Sequence, residues 1–321
     1  MTLVTTINSR PKLTAVTEKV HLDIDPGCDD ILAVGMALGH PDIEVVGLST
    51  VAGNTTVENA TQNICSLLAV MNRTDIPVAV GCGRPIVDEL RTAEDIHGQG
   101  GFHGDLPEQG RTAIETGTHG SSFILKQVRK YGNDLSILAT GPLTNLAVAF
   151  AMDPASSERV GGISVMGGNP FVSGNVTPAA EANFHNDPIA ARRVLDTAVP
   201  TVAGLNVTTS AMLPSSVLDG IELIDRRREI LTSGLNYRDR GEKGAVIHDA
   251  VIVANLVESV LTVERRNVEI DTSLGPSRGA FLVEPAESNG NSLTAAVAVD
   301  IDVDQFKQSF VKGIRGLKDS S

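Results

Sequence analysis

The chain has 321 residues, 41% of them hydrophobic, and a formal net charge of -13, which allows a large buried core and gives no compositional sign of disorder. The charge opposes nucleic-acid phosphates, no apolar run approaches the roughly 20 residues of a membrane span, and Cys28, Cys65 and Cys82 form no CxxC pair. Polyanionic partners and membranes are therefore excluded, the cysteines are expected as reduced thiols, and a cytoplasmic location is expected. Residues 1–18 read as a flexible leader before a single domain over 19–321.

Val20 to Asp25 and Ile43 to Val51 are short β-branched apolar runs, the pattern of buried parallel strands, with a helix over 29–40 between them. Val57, Ala60, Ile64, Leu67, Leu68 and Met71 recur at helical spacing and predict a second helix, followed by a strand over 76–80. After a polar, Gly-rich stretch the alternation resumes: helix 121–131, strand 134–139, helix 143–152, strand 160–166, helix 187–197 and strand 199–205. Helices near 214–233 and 248–261, strands at 267–271 and 295–301, and a closing helix from Val303 complete the chain. Repeated βα alternation predicts an α/β fold, a mostly parallel central sheet flanked by helices, with an open Rossmann-like core and extra C-terminal elements. Two long irregular segments, 81–120 and 165–186, are expected to border a site.

The densest chemistry lies in Asp23-Ile24-Asp25-Pro26-Gly27-Cys28-Asp29-Asp30. One pair of carboxylates ends a strand, Pro-Gly turns the chain, and the second pair opens a helix, so four acids meet at one sheet edge, where open α/β sheets bind ligands. A helix cap needs one Asp and not four. Crowded carboxylates become tolerable around a hard cation, and with no set of His and Cys residues there to make a soft site, calcium or magnesium fits better than zinc.

This run resembles the N-terminal signature of the inosine-uridine nucleoside hydrolase family. Thr50-Val51-Ala52-Gly53-Asn54, Gly141-Pro142-Leu143-Thr144-Asn145, Met166-Gly167-Gly168 with Gly174 to Asn183, and His248-Asp249-Ala250 resemble its later segments in the same order. The resemblance implies a calcium-dependent ribonucleoside hydrolase that releases ribose and free base. It implies Ca2+ held by Asp25, Asp30, Asp249 and the carbonyl of Thr140, with Asp25 also the base that activates water. It further implies ribose contacts from Asp29, Asn54, Asn183 and Asp249, contacts to the 5′-hydroxyl from Asn175 and Glu181, and a place for Met166 in the substrate site. A site that bonds each hydroxyl should reject 2′-deoxynucleosides.

For the departing base, His248 matches the histidine that the family uses as an acid, and its side chain suits proton donation near neutral pH. His97, in a Gly-rich loop, resembles the family's mobile flap over the base, or is simply solvated. Arg240 and Tyr237 fall where base-contacting side chains are expected. The purine-specific branch resembles a tryptophan sandwich around the base, and the chain has no Trp, so a pyrimidine-preferring or nonspecific enzyme is expected. Two rivals differ in class. A haloacid dehalogenase-type phosphatase would use Asp23 and Asp25 as its Asp-x-Asp pair, and a non-catalytic nucleoside sensor would share the scaffold. The resemblance also implies a homodimer or homotetramer acting on a small-molecule nucleoside.

Overall fold

The computed structural model describes residues 17–106, 117–237, 244–284 and 293–318. Its strands are β1 (Glu18–Ile24), β2 (Ile43–Thr50), β3 (Val78–Val80), β4 (Leu135–Ala139), β5 (Gly162–Met166), β6 (Thr201–Ala203), β7 (Met212–Leu213), β8 (Ala245–Val246), β9 (Leu261–Ile270), β10 (Phe281–Val283) and β11 (Leu293–Ile301). The helices are α1 (Cys28–Gly39), α2 (Val57–Val70), α3 (Glu94–His97), α4 (Gly120–Tyr131), α5 (Thr144–Met152), α6 (Ser156–Arg159), α7 (Ala182–Asn186), α8 (Pro188–Thr197), α9 (Leu205–Thr208), α10 (Asp225–Asn236), α11 (Ala250–Glu258) and α12 (Val303–Arg315).

Nine strands form one sheet in the order β10-β9-β11-β6-β5-β4-β1-β2-β3. From β3 to β11 every neighbouring pair is parallel, while β9 and β10 add an antiparallel edge. One face is packed by α1, α2, α10, α11 and α12, the other by α4, α5 and α8. Helix α1 is buried on nearly every side between the sheet and α10, α11 and α12. That explains its apolar run from Ile31 to Leu38, since a helix with no wet face needs no polar stripe. The first strand pairs with β2 on one side and β4 on the other. The chain leaves β1 toward β2 and leaves β4 toward β5, in opposite directions, which opens between them the crevice where doubly wound sheets take their ligands.

The expected alternation is present, with differences concentrated in the C-terminal third. The helix expected over 248–261 ends at Glu258, where Ser259 takes a left-handed conformation (φ 52°) and the chain turns into β9. The short strand expected at 267–271 is the end of the ten-residue β9, whose middle carries Glu264, Arg265 and Arg266. Lying near the sheet edge with one face partly wet, this strand needs no apolar run. The helix expected over 214–233 begins only at Asp225, and a 3-10 turn covers Ser215–Leu218. Strand β1 already pairs at Glu18 with Ile43, one residue inside the expected leader. Among the described residues Cys28, Cys65 and Cys82 form no disulfide, and no helix is long and apolar enough to cross a membrane.

Candidate active site

The crevice is built from strand ends. Asp25 follows β1, Asn54 follows β2, Thr140 follows β4, and Met166 closes β5. Gly27 caps α1, and Asp30, in its first turn, reaches back to accept the Gly27 N–H at 2.9 Å. The same carboxylate accepts the Thr140 hydroxyl at 2.6 Å and the Asn54 amide at 3.3 Å. One side chain thereby ties β1, β2 and β4 together at the switch point.

Asp25 is held differently. Its Oδ2 accepts the Asn54 backbone N–H at 2.8 Å, while its Oδ1 is buried with no hydrogen-bond partner among the described residues. Both oxygens are wedged against glycines: a Cβ on Gly53 would stand 2.0 Å from Oδ2, and one on Gly141 2.8 Å from Oδ1. The glycines of the Val-Ala-Gly-Asn and Gly-Pro-Leu-Thr-Asn segments are thus required by close approach to this carboxylate.

Asp29, Asp30 and Asp249 bring one carboxylate oxygen each within 4.8 Å of one another, and all three are buried. Burial holds the Asp25 and Asp249 carboxyls well above the usual carboxylate range, with Asp30 adding to the first and Asp29 and Asp30 to the second. Asp29 is pushed up to about 7, first by burial and then by Asp30, while Asp30 is raised by burial against its bonds from Thr140 and Gly27. Four buried acids that repel one another, with an orphan oxygen on Asp25 and another on Asp29, form an oxygen-only donor set that fits a hard divalent cation. The group within mutual reach contains Asp29 where the resemblance places Asp25, and Asp30 and Asp249 are common to both sets.

The remaining expected residues surround a cavity of about 90 Å³ above the acids. Asp29, Asn54, His97, Thr140, Met166, Asn175, Glu181, Asn183, Tyr237, His248 and Asp249 all line it. Both long irregular segments reach it, through His97 and through Asn175 to Asn183. Asn183 donates to the Thr140 carbonyl at 2.6 Å and the Met166 carbonyl at 3.1 Å, bridging β4 and β5. Glu181 caps α7, accepting the N–H groups of Gly168, Asn183 and Phe184 at 2.8, 2.8 and 3.2 Å, yet burial still pushes it up to about 7. Asn175 is exposed at the rim, and its side chain accepts the Ala182 N–H at 3.0 Å.

His97 is not solvated. It is 8% exposed, closes the short α3, accepts the Cys28 N–H through Nδ1 at 3.1 Å and stacks on Tyr237 with centroids 5.2 Å apart. This places the ring's proton on Nε2 when it is neutral. Its Nδ1 lies 3.9 Å from Asp29 Oδ1, too far for a hydrogen bond. Arg240 lies outside the described residues.

Asn175, Tyr237 and His248 also border an adjoining cavity of about 220 Å³, whose other walls include Val172, Leu205, Thr209 and Val246. The chamber over the acids and this second one thus adjoin along Asn175, Tyr237 and His248, with His248 at the junction.

Some supports carried little local signal in the sequence. Asp23, expected there only to support its neighbours, accepts from Ser49 at 2.5 Å and Asn145 at 2.8 Å, and Asn145 also donates to the Thr50 carbonyl and accepts from the Cys82 N–H. Asp23 and Asn145 therefore brace the strand ends under the acids. Asn145 was visible only as the last residue of a motif, and Ser49 carried no local signal at all.

The family pattern "Inosine-uridine preferring nucleoside hydrolase" matches residues 20–308. A "Pyrimidine-specific ribonucleoside hydrolase RihA" from Escherichia coli O8 (strain IAI1) is 36% identical over 307 residues, spanning 90% of this chain and 94% of the relative. Among solved structures, a purine-preferring ribonucleoside hydrolase from Gardnerella vaginalis superposes with a TM-score of 0.86 at 30% identity, covering 94% of this chain and 99% of that one. A plant nucleoside hydrolase superposes at 0.83, also at 30% identity, over 93% and 99% of the two chains. Motif order, sheet topology and whole-chain similarity agree over the same span, and the chain belongs to the inosine-uridine preferring nucleoside hydrolase family.

Proposed function

We propose that residues 19–321 form one catalytic unit that hydrolyses the N-glycosidic bond of ribonucleosides to ribose and free base, with pyrimidine nucleosides preferred. The observation that carries the reading is the convergence of Asp25, Asp29, Asp30 and Asp249 beneath a chamber that adjoins a second one along Asn175, Tyr237 and His248. A calcium ion held there by Asp30, Asp249, the Thr140 carbonyl and Asp25 would neutralise the acids, polarise water and grip a ribose diol.

Asp25 supplies the base. Its Oδ2 is occupied by the Asn54 N–H, so the proton of the attacking water goes to the unpartnered Oδ1. Asp29, Asn54 and Asn183 face the 2′- and 3′-hydroxyls, and Asn175 and Glu181 the 5′-hydroxyl. Met166 lines the same chamber. As the C1′–N bond breaks, its electron pair stays with the base, the water oxygen bonds C1′, and buried carboxylates and amide oxygens stabilise the positive charge on the sugar. His248, at the junction, delivers a proton to the leaving base. His97 and Tyr237, stacked on each other, wall the base side, and Arg240 is assigned to base contact.

The absence of Trp and the pyrimidine specificity of the Escherichia coli relative support pyrimidine preference. We further assign a cytoplasmic location and a homodimer or homotetramer, which sedimentation reads directly. The decisive assay is reducing-sugar release from uridine, cytidine, inosine, adenosine and guanosine, with and without a chelator. Ribose release led by uridine and cytidine and abolished on calcium removal is expected. Activity that survives verified calcium removal overturns the mechanism, and phosphate release from monoesters without ribose release overturns the reaction.

A further inference from the structure

The small antiparallel sheet of β7 and β8 stands apart from the main sheet. It pairs Met212 with Val246 and Leu213 with Ala245, and the Ile247 N–H extends the pairing to the Ala211 carbonyl at 2.8 Å. Its effect is local: the chain just before β7 is fixed against the chain just after β8. The first carries Thr208, fully buried at the end of α9, and the second carries His248. Across this junction Thr208 Oγ1 and His248 Nδ1 lie 2.9 Å apart, within hydrogen-bond distance.

We infer that Thr208 is a positioning residue for His248, fixing the imidazole so that Nε2 presents the proton to the departing base. The inference rests on the proposed reaction and goes beyond it by naming the group that sets the acid's orientation. The geometry carries it in three steps. His248 is half-buried where the two chambers meet, so a ring free to rotate could present either nitrogen or neither. The contact to Thr208 uses Nδ1, and the two ring nitrogens lie on different edges, so it commits Nε2 to the other direction. The Thr208 hydroxyl suits this task, because it accepts from the Nδ1–H of the imidazolium that donates through Nε2. Nδ1 keeps its proton when Nε2 gives up its own, so the same bond is kept before and after the transfer. The proton leaves Nε2 for the base as the glycosidic electron pair arrives there, and Thr208 neither gains nor loses one.

A residue acting only through His248 should matter only when the leaving group needs a proton. Thr208→Val, Thr208→Ser, His248→Ala and the double variant Thr208→Val/His248→Ala are compared on uridine and on p-nitrophenyl riboside, whose leaving group departs without protonation. For Thr208→Val, kcat on uridine is expected to fall about 10- to 100-fold with KM changed far less, in the range of general-acid effects. The loss on p-nitrophenyl riboside should be at least about tenfold smaller. Thr208→Ser should recover most of the activity, and Thr208→Val should cost nothing further once His248 is Ala. The 15N shifts of the His248 ring, read in calcium-loaded protein, should move from one dominant tautomer to a mixture in Thr208→Val.

Equal losses on both substrates, an additive double variant, or unaltered His248 shifts overturn the inference. A wild-type enzyme that releases no ribose overturns the proposed reaction instead, and the ring shifts still test the contact.

Discussion

Replacing Gly53 by Ala tests whether the Asp25 cradle is as tight as its geometry. The new Cβ would lie 2.0 Å from Asp25 Oδ2 and 2.7 Å from Pro142 Cδ. Neither neighbour is the end of a long flexible side chain. Relief therefore requires the carboxylate to move by about 1 Å, and overpacking of this kind costs about 1–3 kcal/mol. The melting temperature should drop by roughly 2–8 °C. Function should suffer more than stability, because a displacement of that size at a reacting group can cost about 100-fold in rate. Disturbing the support of a metal site also weakens affinity by about 10- to 100-fold. The assay is kcat on uridine together with calcium titration of chelator-treated enzyme, with Gly275→Ala, whose Cβ meets nothing within 4 Å, as the control. A Gly53→Ala enzyme with wild-type kcat and calcium affinity would refute the tight cradle and the role given to Asp25.

Other perturbations address the remaining assignments. Asp25→Asn keeps the shape and the Asn54 contact but removes the base, so kcat should fall by about 100- to 10,000-fold with the melting temperature little changed; retention of a tenth of the activity would move the base elsewhere. Deoxyuridine should be turned over up to about 10,000-fold less efficiently than uridine, and comparable kcat/KM values would remove the diol contacts. In calcium-free enzyme, stability should fall as pH rises from about 4 through 7. Glu181 and Asp29 are both raised to about 7 in the folded protein, so their contribution is present below their unfolded values and lost as each is forced to ionise. For Glu181 alone the change approaches roughly 3 kcal/mol. Calcium should flatten the profile by compensating the aspartates, and urea midpoints from pH 4 to 8 with and without calcium decide it; a calcium-free midpoint that rises with pH contradicts the buried, uncompensated cluster.

What the sequence revealed follows from how local each signal is. Parallel strands and the longer helices between them are written in contiguous apolar periodicity, so β1 to β6 and those helices were legible to within about two residues at each end, while the short α3, α6 and α7 were not. Strand β9 was half missed because its partly wet face spends its positions on Glu264, Arg265 and Arg266. Asp25, Asp29 and Asp30 announced themselves through a run of like charges, which has few structural uses. Asp249 was found only through the family resemblance, since a lone His-Asp pair has no distinctive chemistry of its own. The anchoring of His97 on the first turn of α1 and the bond between Thr208 and His248 join residues 69 and 40 positions apart. No local pattern encodes such contacts, because they arise when the sheet brings distant loops together.

The carboxylates of the cradle come from both ends of the chain, and the side chains that steady them come from loops after β2, β4 and β5. No fragment of the protein, and no hairpin formed early in folding, contains the site. Tight binding of the proposed calcium ion would therefore require the completed sheet, and the ion should act as a late clamp on the finished molecule rather than as a nucleus for its assembly. A nicked or truncated chain that lacks the α11 segment should lose the clamp entirely and fall prey to proteolysis at calcium concentrations that fully protect the intact protein.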